Sequence, residues 1–198
     1  MNTLLIGLTG RARSGKSTAA EHLISTYWLE HYAFADPLRD GLMAIFNLDS
    51  KDFEGDQKER PLTWLGRSPR ELMQSMGTEW ARNTVHQDIW VKLAEQNLDY
   101  INRAMSKVIG FVVSDVRFEN EADFIRKRGG TVIHISRKDT PSVNPHISEA
   151  GVAVRQDDLI LRNNGTIEEF LCSLDEVYSA LRARHKKHEQ RINRGLTS

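Results

Sequence analysis

Apolar positions along this chain recur with two different periods, and the alternation between them lays out the fold. Leu4 to Leu8 is a continuous apolar run, too short for a helix and closed by Gly10, so it predicts a strand buried on both faces. From Ser17 the period lengthens, and Ala20, Leu23, Ile24 and Tyr27 fall on one helical face. Tyr32 to Ala35 predicts a second strand. Asp36-Pro37 then supplies a capping residue before a proline at the first helical position, ahead of the stripe Leu38, Leu42, Ile45 and Phe46. Residues 47–66 are polar and charge-rich and predict irregular chain. Ser68-Pro69-Arg70-Glu71 has the cap, the proline and the reciprocating Glu of a capping box, and Leu72, Met73 and Met76 continue it as a helix. Asp88 can open a longer helix through Trp90, Leu93, Ala94, Ile101 and Met105.

Val108 to Ser114 is the most strongly apolar, β-branched stretch and predicts a strand in the interior of a parallel sheet, ended by Asp115. A short helix through Ala122, Phe124 and Ile125 closes at Gly129-Gly130, and Thr131 to Ser136 predicts another strand. Leu159 to Leu161 predicts the last strand and Asn163-Asn164-Gly165 a turn. Thr166 and Glu169 make a capping box for a helix carrying Leu171, Leu174, Val177 and Leu181, with Cys172 in the same apolar pattern and expected in the core. Strands alternating with helices predict an α/β fold with a central parallel sheet flanked by helices, in which ligands bind at the carboxyl ends of strands. The expected layout is one domain over 1–183 with a helical insertion at 37–105, a loop at 137–155 that can act as a lid, and a basic, flexible tail at 184–198.

Composition narrows the function classes. The 198 residues carry 27 Lys and Arg against 27 Asp and Glu, so a broad cationic field for a stable nucleic-acid complex or a membrane surface is excluded. Within the basic residues, 18 Arg outnumber 9 Lys, a bias toward the side chain that forks onto phosphate or carboxylate oxygens. The single cysteine excludes an intramolecular disulfide framework and points to a reducing, cytoplasmic compartment. No apolar run approaches the roughly 18 residues of a spanning helix, and the start of the chain lacks the pattern of a signal peptide.

Gly10-Arg11-Ala12-Arg13-Ser14-Gly15-Lys16-Ser17 fits the phosphate-loop pattern G-x-x-x-x-G-K-[ST], set between a predicted strand and a predicted helix. The mechanism needs that placement. Glycines let backbone N–H groups curl around phosphate oxygens, the helix N-terminus adds partial positive charge, Lys16 reaches the β- and γ-phosphates, and Ser17 can ligate Mg²⁺. Asp115, at the end of an apolar strand, is a second candidate for the metal, and Arg117 faces the same side of an extended chain. Asp36 and Arg39 follow the second strand, where Asp36 can cap a helix, face substrate, or do both. Arg70, Gln74 and Arg82 lie on the insertion at near-helical spacing, as an acceptor site or as a solvated face. Arg137 and Arg155 flank the proline-containing loop, where a mobile cover can bring cations to a transferring phosphoryl group. His146-Ile147-Ser148-Glu149 matches no hydrolytic triad, and Ser148 reads as a helix cap.

Taken together, the phosphate loop, Phe34-Ala35-Asp36-Pro37-Leu38-Arg39, the segment Ser68 to Gly77, the segment Ser114 to Glu121, His146 to Glu149 and Asn164-Gly165-Thr166 resemble the phage-type deoxynucleoside monophosphate kinases of the P-loop superfamily. The resemblance covers about residues 4 to 171. It implies a P-loop NTPase fold whose helical insertion binds the monophosphate. It also implies that Gly10, Arg11, Ala12, Arg13, Ser14, Gly15, Lys16, Ser17 and Thr18 hold the phosphates of ATP, with Asn164 and Gly165 beside its adenine. Asp36, Arg39, Arg70 and Arg117 would line the monophosphate site; Gln74 and Arg82 join them as candidates from their spacing. The catalytic candidates are Lys16, Arg13, Asp36, Arg117 and Arg137, with Mg²⁺ at Ser17 and Asp115. The loop departs from many relatives, which have Asp-Thr where this chain has Ser17-Thr18. An Ala-Asp-Pro-Leu segment also occurs in phosphomevalonate kinases, so another small phosphorylated acceptor stays open. A nucleotide-dependent ATPase or switch acting on a macromolecule is a further reading, although no residue identifies itself as the water-positioning group such a switch needs. A nucleic-acid-processing role rests only on the basic stretch Arg184 to Arg194. An isologous homodimer is the expected assembly on the frequency of such pairs.

Overall fold

Five parallel strands form the sheet, and its core lies on the central ones, whose residues are mostly apolar and buried. In the computed structural model, which describes residues 3–105, 107–138 and 151–195, the strands are β1 (Leu4–Thr9), β2 (Glu30–Tyr32), β3 (Gly110–Val113), β4 (Thr131–Ser136) and β5 (Leu159–Arg162). Their order across the sheet is β2-β3-β1-β4-β5, with every pairing parallel. The chain divides into two compact units, Met1–Tyr32 with Met105–Ser198, and Ala33–Ala104.

In the first unit, alternate residues of the central strand face different helices. Leu4, Ile6 and Leu8 join Val112, Ile133 and Ile135 under helix α1 (Lys16–Tyr27) and helix α6 (Ile167–Gly195), which contribute Ala20, Leu23, Phe170, Leu174 and Tyr178. On the opposite face, Gly7 lies under Ile125 of helix α5 (Glu119–Lys127), so close that a Cβ there would stand 3.1 Å from the Ile125 side chain. Burying these side chains is the main stabilising term, at roughly 25 cal/mol per Å² of apolar surface removed from water. The chain leaves β1 over one face and β3 over the other, and these adjacent strands end side by side. That is a topological switch point, where open α/β sheets bind ligands.

The first unit departs from the sequence expectation in four places. β2 lies at Glu30–Tyr32, earlier than expected, because Ala33 and Phe34 are buried without continuing the ladder that ends at Tyr32. Cys172 is exposed, since the buried stripe of α6 runs through Phe170, Leu174, Tyr178 and Leu181. The helix also does not stop near 183 but continues to Gly195. Extending an anchored helix avoids the unfavourable nucleation step, so good helix formers carry it on without an apolar face. Arg155, expected to serve a mobile cover, is tied to α5: its Nη1 lies 2.9 Å from Asp123 and its Nη2 3.4 Å from Glu119. Ala153 N–H donates to Glu119 Oε1 and the Arg126 guanidinium pairs with Asp158 at 2.6 Å, so residues 153–158 run alongside α5 toward the amino end of β5. Most of the 137–155 segment, with His146, Ser148 and Glu149, lies outside the described residues, as does the end of the chain beyond 195.

The second unit is helical, with α2 (Asp36–Phe46), two short 3-10 turns (Ser50–Phe53 and Gln57–Glu59), α3 (Pro69–Gln74) and α4 (Ile89–Ala104). The Ser68 capping box forms as the sequence requires: Glu71 N–H donates to Ser68 Oγ at 3.2 Å, and Ser68 N–H to Glu71 Oε2 at 2.8 Å. α3 passes directly into a π-helical segment, Ser75–Val85, whose wider winding is closed by His86 N–H on the Ala81 carbonyl. Such winding is rare and concentrates at functional sites. Here it brings Gly77, Ala81 and Arg82 into buried positions, and Trp90 Nε1 donates to the Gly77 carbonyl at 2.9 Å.

Candidate active site

The loop after β1 has the backbone of an anion cradle. Gly10 (φ 146°), Arg13 (φ 62°) and Gly15 (φ 109°) adopt left-handed geometry, which turns successive N–H groups to one side. Glycine is required at two of these positions. A Cβ on Gly10 would fall against the Ile135 carbonyl, and one on Gly15 would stand 2.5 Å from Asn163 Nδ2. α1 begins at Lys16, so the positive end of its dipole follows the loop directly. Lys16 Nζ donates to the carbonyls of Gly10 (2.7 Å) and Arg11 (2.8 Å), which holds the ammonium across the loop. Ser14 Oγ is buried with no hydrogen-bond partner, an orphan that a phosphate oxygen would satisfy. Arg11, Arg13 and Ser17 are exposed, and Ala12 and Thr18 half-buried.

Beside this loop, Val116 N–H donates to the Leu8 carbonyl, which fixes the chain after β3 against the end of β1. Asp115 is half-buried there and Arg117 exposed. Glu121, only 3% exposed, accepts the N–H groups of Arg117 (2.7 Å) and Phe118 (3.0 Å) on one oxygen and so shapes the turn that carries both candidates. His31 Nε2 lies 2.8 Å from Ser114 Oγ at the edge of the same strand end. Ser17 and Asp115 carry oxygen donors, the type Mg²⁺ takes, and among the described residues no group of three or more His, Cys, Asp or Glu could hold a metal ion. That sparse set fits an ion held largely by substrate phosphates and water rather than by a protein cage.

In the second unit, Asp36 does not cap α2 through its side chain; Ala35 occupies the cap position. Its carboxylate instead accepts Ala33 N–H on Oδ2 (3.1 Å) and Arg39 Nη1 on Oδ1 (3.1 Å). Arg39 is thereby oriented, while its buried Nε has no hydrogen-bond partner. Gln74, at the end of α3, likewise has a buried, unpartnered Nε2. Arg70 Nε donates to Glu59 Oε1 at 2.6 Å, and Arg82, 8% exposed, donates through Nη1 to the Gln87 carbonyl. A solvated arginine face is excluded by this burial. The Ser68 N–H holds the Glu71 carboxylate below its ordinary range, which keeps the start of α3 ionised and fixed.

A family model described as deoxynucleotide monophosphate kinase matches residues 63–173. A protein of Acanthamoeba polyphaga mimivirus named "Putative deoxynucleotide monophosphate kinase" is 38% identical over 179 residues, which covers 84% of this chain and 92% of that protein. The chain belongs to the deoxynucleotide monophosphate kinase family. The deoxynucleotide monophosphate kinase of Enterobacteria phage T4 is 29% identical over 241 aligned positions, covering 89% of this chain and 99% of the phage protein. Among solved structures, that of TT1252 from Thermus thermophilus superposes with a TM-score of 0.51 at 16% identity, covering 90% of this chain and 98% of that one, a likeness of fold. With the loop geometry and the sheet order, the architecture of this family member is a P-loop NTPase fold, a parallel sheet flanked by helices.

The expected residues divide between the two units. The phosphate loop, Asp115 and Arg117 share the switch point of the first, and Arg137 is the residue that follows β4. Asp36, Arg39, Arg70, Gln74 and Arg82 belong to the second. Asn164 does not stand alone at the β5–α6 turn: its Oδ1 accepts Lys138 N–H at 2.9 Å, and the neighbouring Asn163 contacts the loop. Glu121, Glu59 and Asn163 had no role assigned from sequence. Only Glu121 carried a local signal, a carboxylate three residues after the start of a turn into a helix.

Proposed function

We propose that this chain transfers the γ-phosphoryl of ATP to the 5′-phosphate of a deoxynucleoside monophosphate, giving ADP and the deoxynucleoside diphosphate, in the cytoplasm. Family membership carries the reading, and one observation supports the acceptor class: both oxygens of Asp36 already accept hydrogen bonds, one of them from Arg39. An alcohol acceptor needs a positioned base, whereas a phosphate with its second pKa near ~6 is already largely a dianion at neutral pH. In this reading Asp36 serves by orienting Arg39. Arg39, Arg70, Arg82 and Gln74 hold the acceptor, and the unpartnered Arg39 Nε and Gln74 Nε2 are donors that a polar ligand would satisfy; Arg117, beside the phosphate loop, is a further phosphate-binding candidate.

On the donor side, Gly10 to Thr18 hold the phosphates of ATP through backbone N–H groups and Lys16, and the Asn164-Gly165 turn lies beside the base. Lys16, Arg13 and Arg137 stabilise charge on the transferring group, whose loose transition state asks for positioning and cations more than for covalent help. Ser17 and Asp115 would hold Mg²⁺, which when bound neutralises the phosphate oxygens.

The test incubates the chain with ATP, Mg²⁺ and a panel of deoxynucleoside monophosphates and measures diphosphate formation. Diphosphate from one or more members of the panel supports the assignment. ATP consumption that is equal with and without monophosphate would overturn it in favour of an ATPase.

A further inference from the structure

Asn163, the first residue after β5, reaches the phosphate loop from a distant part of the chain. Its Nδ2 donates to the Ser14 carbonyl at 2.9 Å, and its backbone N–H donates to the Ser136 carbonyl at 2.8 Å, so one residue ties the loop to the ends of β4 and β5. The same Nδ2 occupies the space that a Cβ on Gly15 would need. Carbonyl and N–H of a trans peptide point in opposite directions, so a Ser14 carbonyl held by Asn163 turns the Gly15 N–H away from it. This peptide is the one most in need of a restraint, because Gly15 (φ 109°) has almost no steric barrier of its own. Arg13 (φ 62°) on the other side completes the left-handed turn that groups the N–H donors. Asn163 is itself held in place. Lys138 N–H donates to Asn164 Oδ1, and the Thr166–Glu169 capping box, at 2.9 and 3.2 Å, fixes the start of α6 immediately beyond.

We infer that Asn163 is a positioning residue for the phosphoryl donor: its side-chain amide locks the Ser14–Gly15 peptide so that the Gly15 N–H faces the donor phosphates. The inference rests on the reading that ATP phosphates occupy this loop. It predicts a loss specific to donor binding.

N163D is isosteric and replaces the donor with an acceptor that repels the Ser14 carbonyl; N163S is uncharged, shortens the side chain, and gives the same reading should N163D not fold. ATP affinity is measured by calorimetry, KM for both substrates and kcat by steady-state assay, and folding by thermal midpoint. ATP affinity is expected to fall about 10-fold in N163S and further in N163D, with KM for the monophosphate within about two-fold of wild type. Unchanged ATP affinity in a folded variant, or a parallel rise in both KM values, overturns the role of Asn163. A wild-type chain that does not bind ATP overturns the donor reading and the inference with it.

Discussion

Replacing Asp158 separates stability from catalysis. Its side chain is 1% exposed and accepts Arg126 Nη2 (2.6 Å), Arg126 Nε (3.0 Å) and Arg155 N–H (2.9 Å), with His134 Nε2 at 3.0 Å. Burial alone would raise the carboxyl pKa, but the bonds from Arg126, the Arg155 N–H and His134 outweigh it and hold the group at about 2, against an ordinary 3.8. That difference corresponds to on the order of 2 kcal/mol of stability. The folded-state value lies below the unfolded one, so the contribution is complete above about pH 4 and disappears as pH falls through about 2. D158N keeps the shape and removes the charge, and should cost about 2 kcal/mol, or about 4–8 °C of melting temperature for a chain of this size. D158A leaves the buried Arg126 without its closest partner and should cost about 3–5 kcal/mol. The assay is chemical denaturation at pH 7 and again near pH 3, where the gap between wild type and D158N should narrow. Asp158 precedes β5 at its amino end, opposite the strand ends that carry the phosphate loop, so kcat and both KM values should stay within two-fold, about the scatter of a neutral change. A D158N chain with full stability, or one with wild-type stability and reduced kcat, would refute this account of residues 153–158.

Other substitutions probe the site directly. K16A should reduce transfer by at least about 100-fold, the scale of one lost oxyanion donor, with little change in melting temperature; the kinetic and thermal measurements are made on the same sample. R70A should raise KM for the monophosphate by about 10-fold or more and leave KM for ATP unaltered, and unchanged kinetics would remove Arg70 from the acceptor site. G15A places a side chain at φ 109° and against the Asn163 amide, so it should lose about 1–3 kcal/mol of stability together with ATP affinity, read by denaturation and calorimetry. C172S, on the exposed side of α6, should change stability by no more than about 0.5 kcal/mol.

Where burial was two-sided, sequence pattern translated directly into structure. β1 and β3 are almost wholly apolar runs and β4 has apolar residues at Val132, Ile133 and Ile135, and each lies within two residues of its expected position. The capping boxes at Ser68 and Thr166 formed because each needs only residues three apart. β2 was misplaced because a three-residue edge strand has no periodicity of its own, while the buried residues after it imitate one. The π-helical winding at Ser75–Val85 was not legible at all, since it depends on packing rather than on local propensity. The same limit applies to the site. Gly10 to Ser17 is a local motif and was readable, whereas the partners that orient it and its neighbours, Asn163 for Ser14 and Glu59 for Arg70, are brought in by tertiary structure. Arg155 shows the converse: its place beside a proline-containing loop suggested contact with substrate, and the acidic face of α5 claims it instead.

The central claim is that phosphoryl passes from ATP to a nucleotide phosphate. It is tested most directly by a single turnover with ATP labelled at the γ-phosphorus and each deoxynucleoside monophosphate in turn. The account predicts that the label appears at the β-position of the deoxynucleoside diphosphate, in step with ADP. Label recovered as inorganic phosphate, at a rate indifferent to the monophosphate, would contradict it.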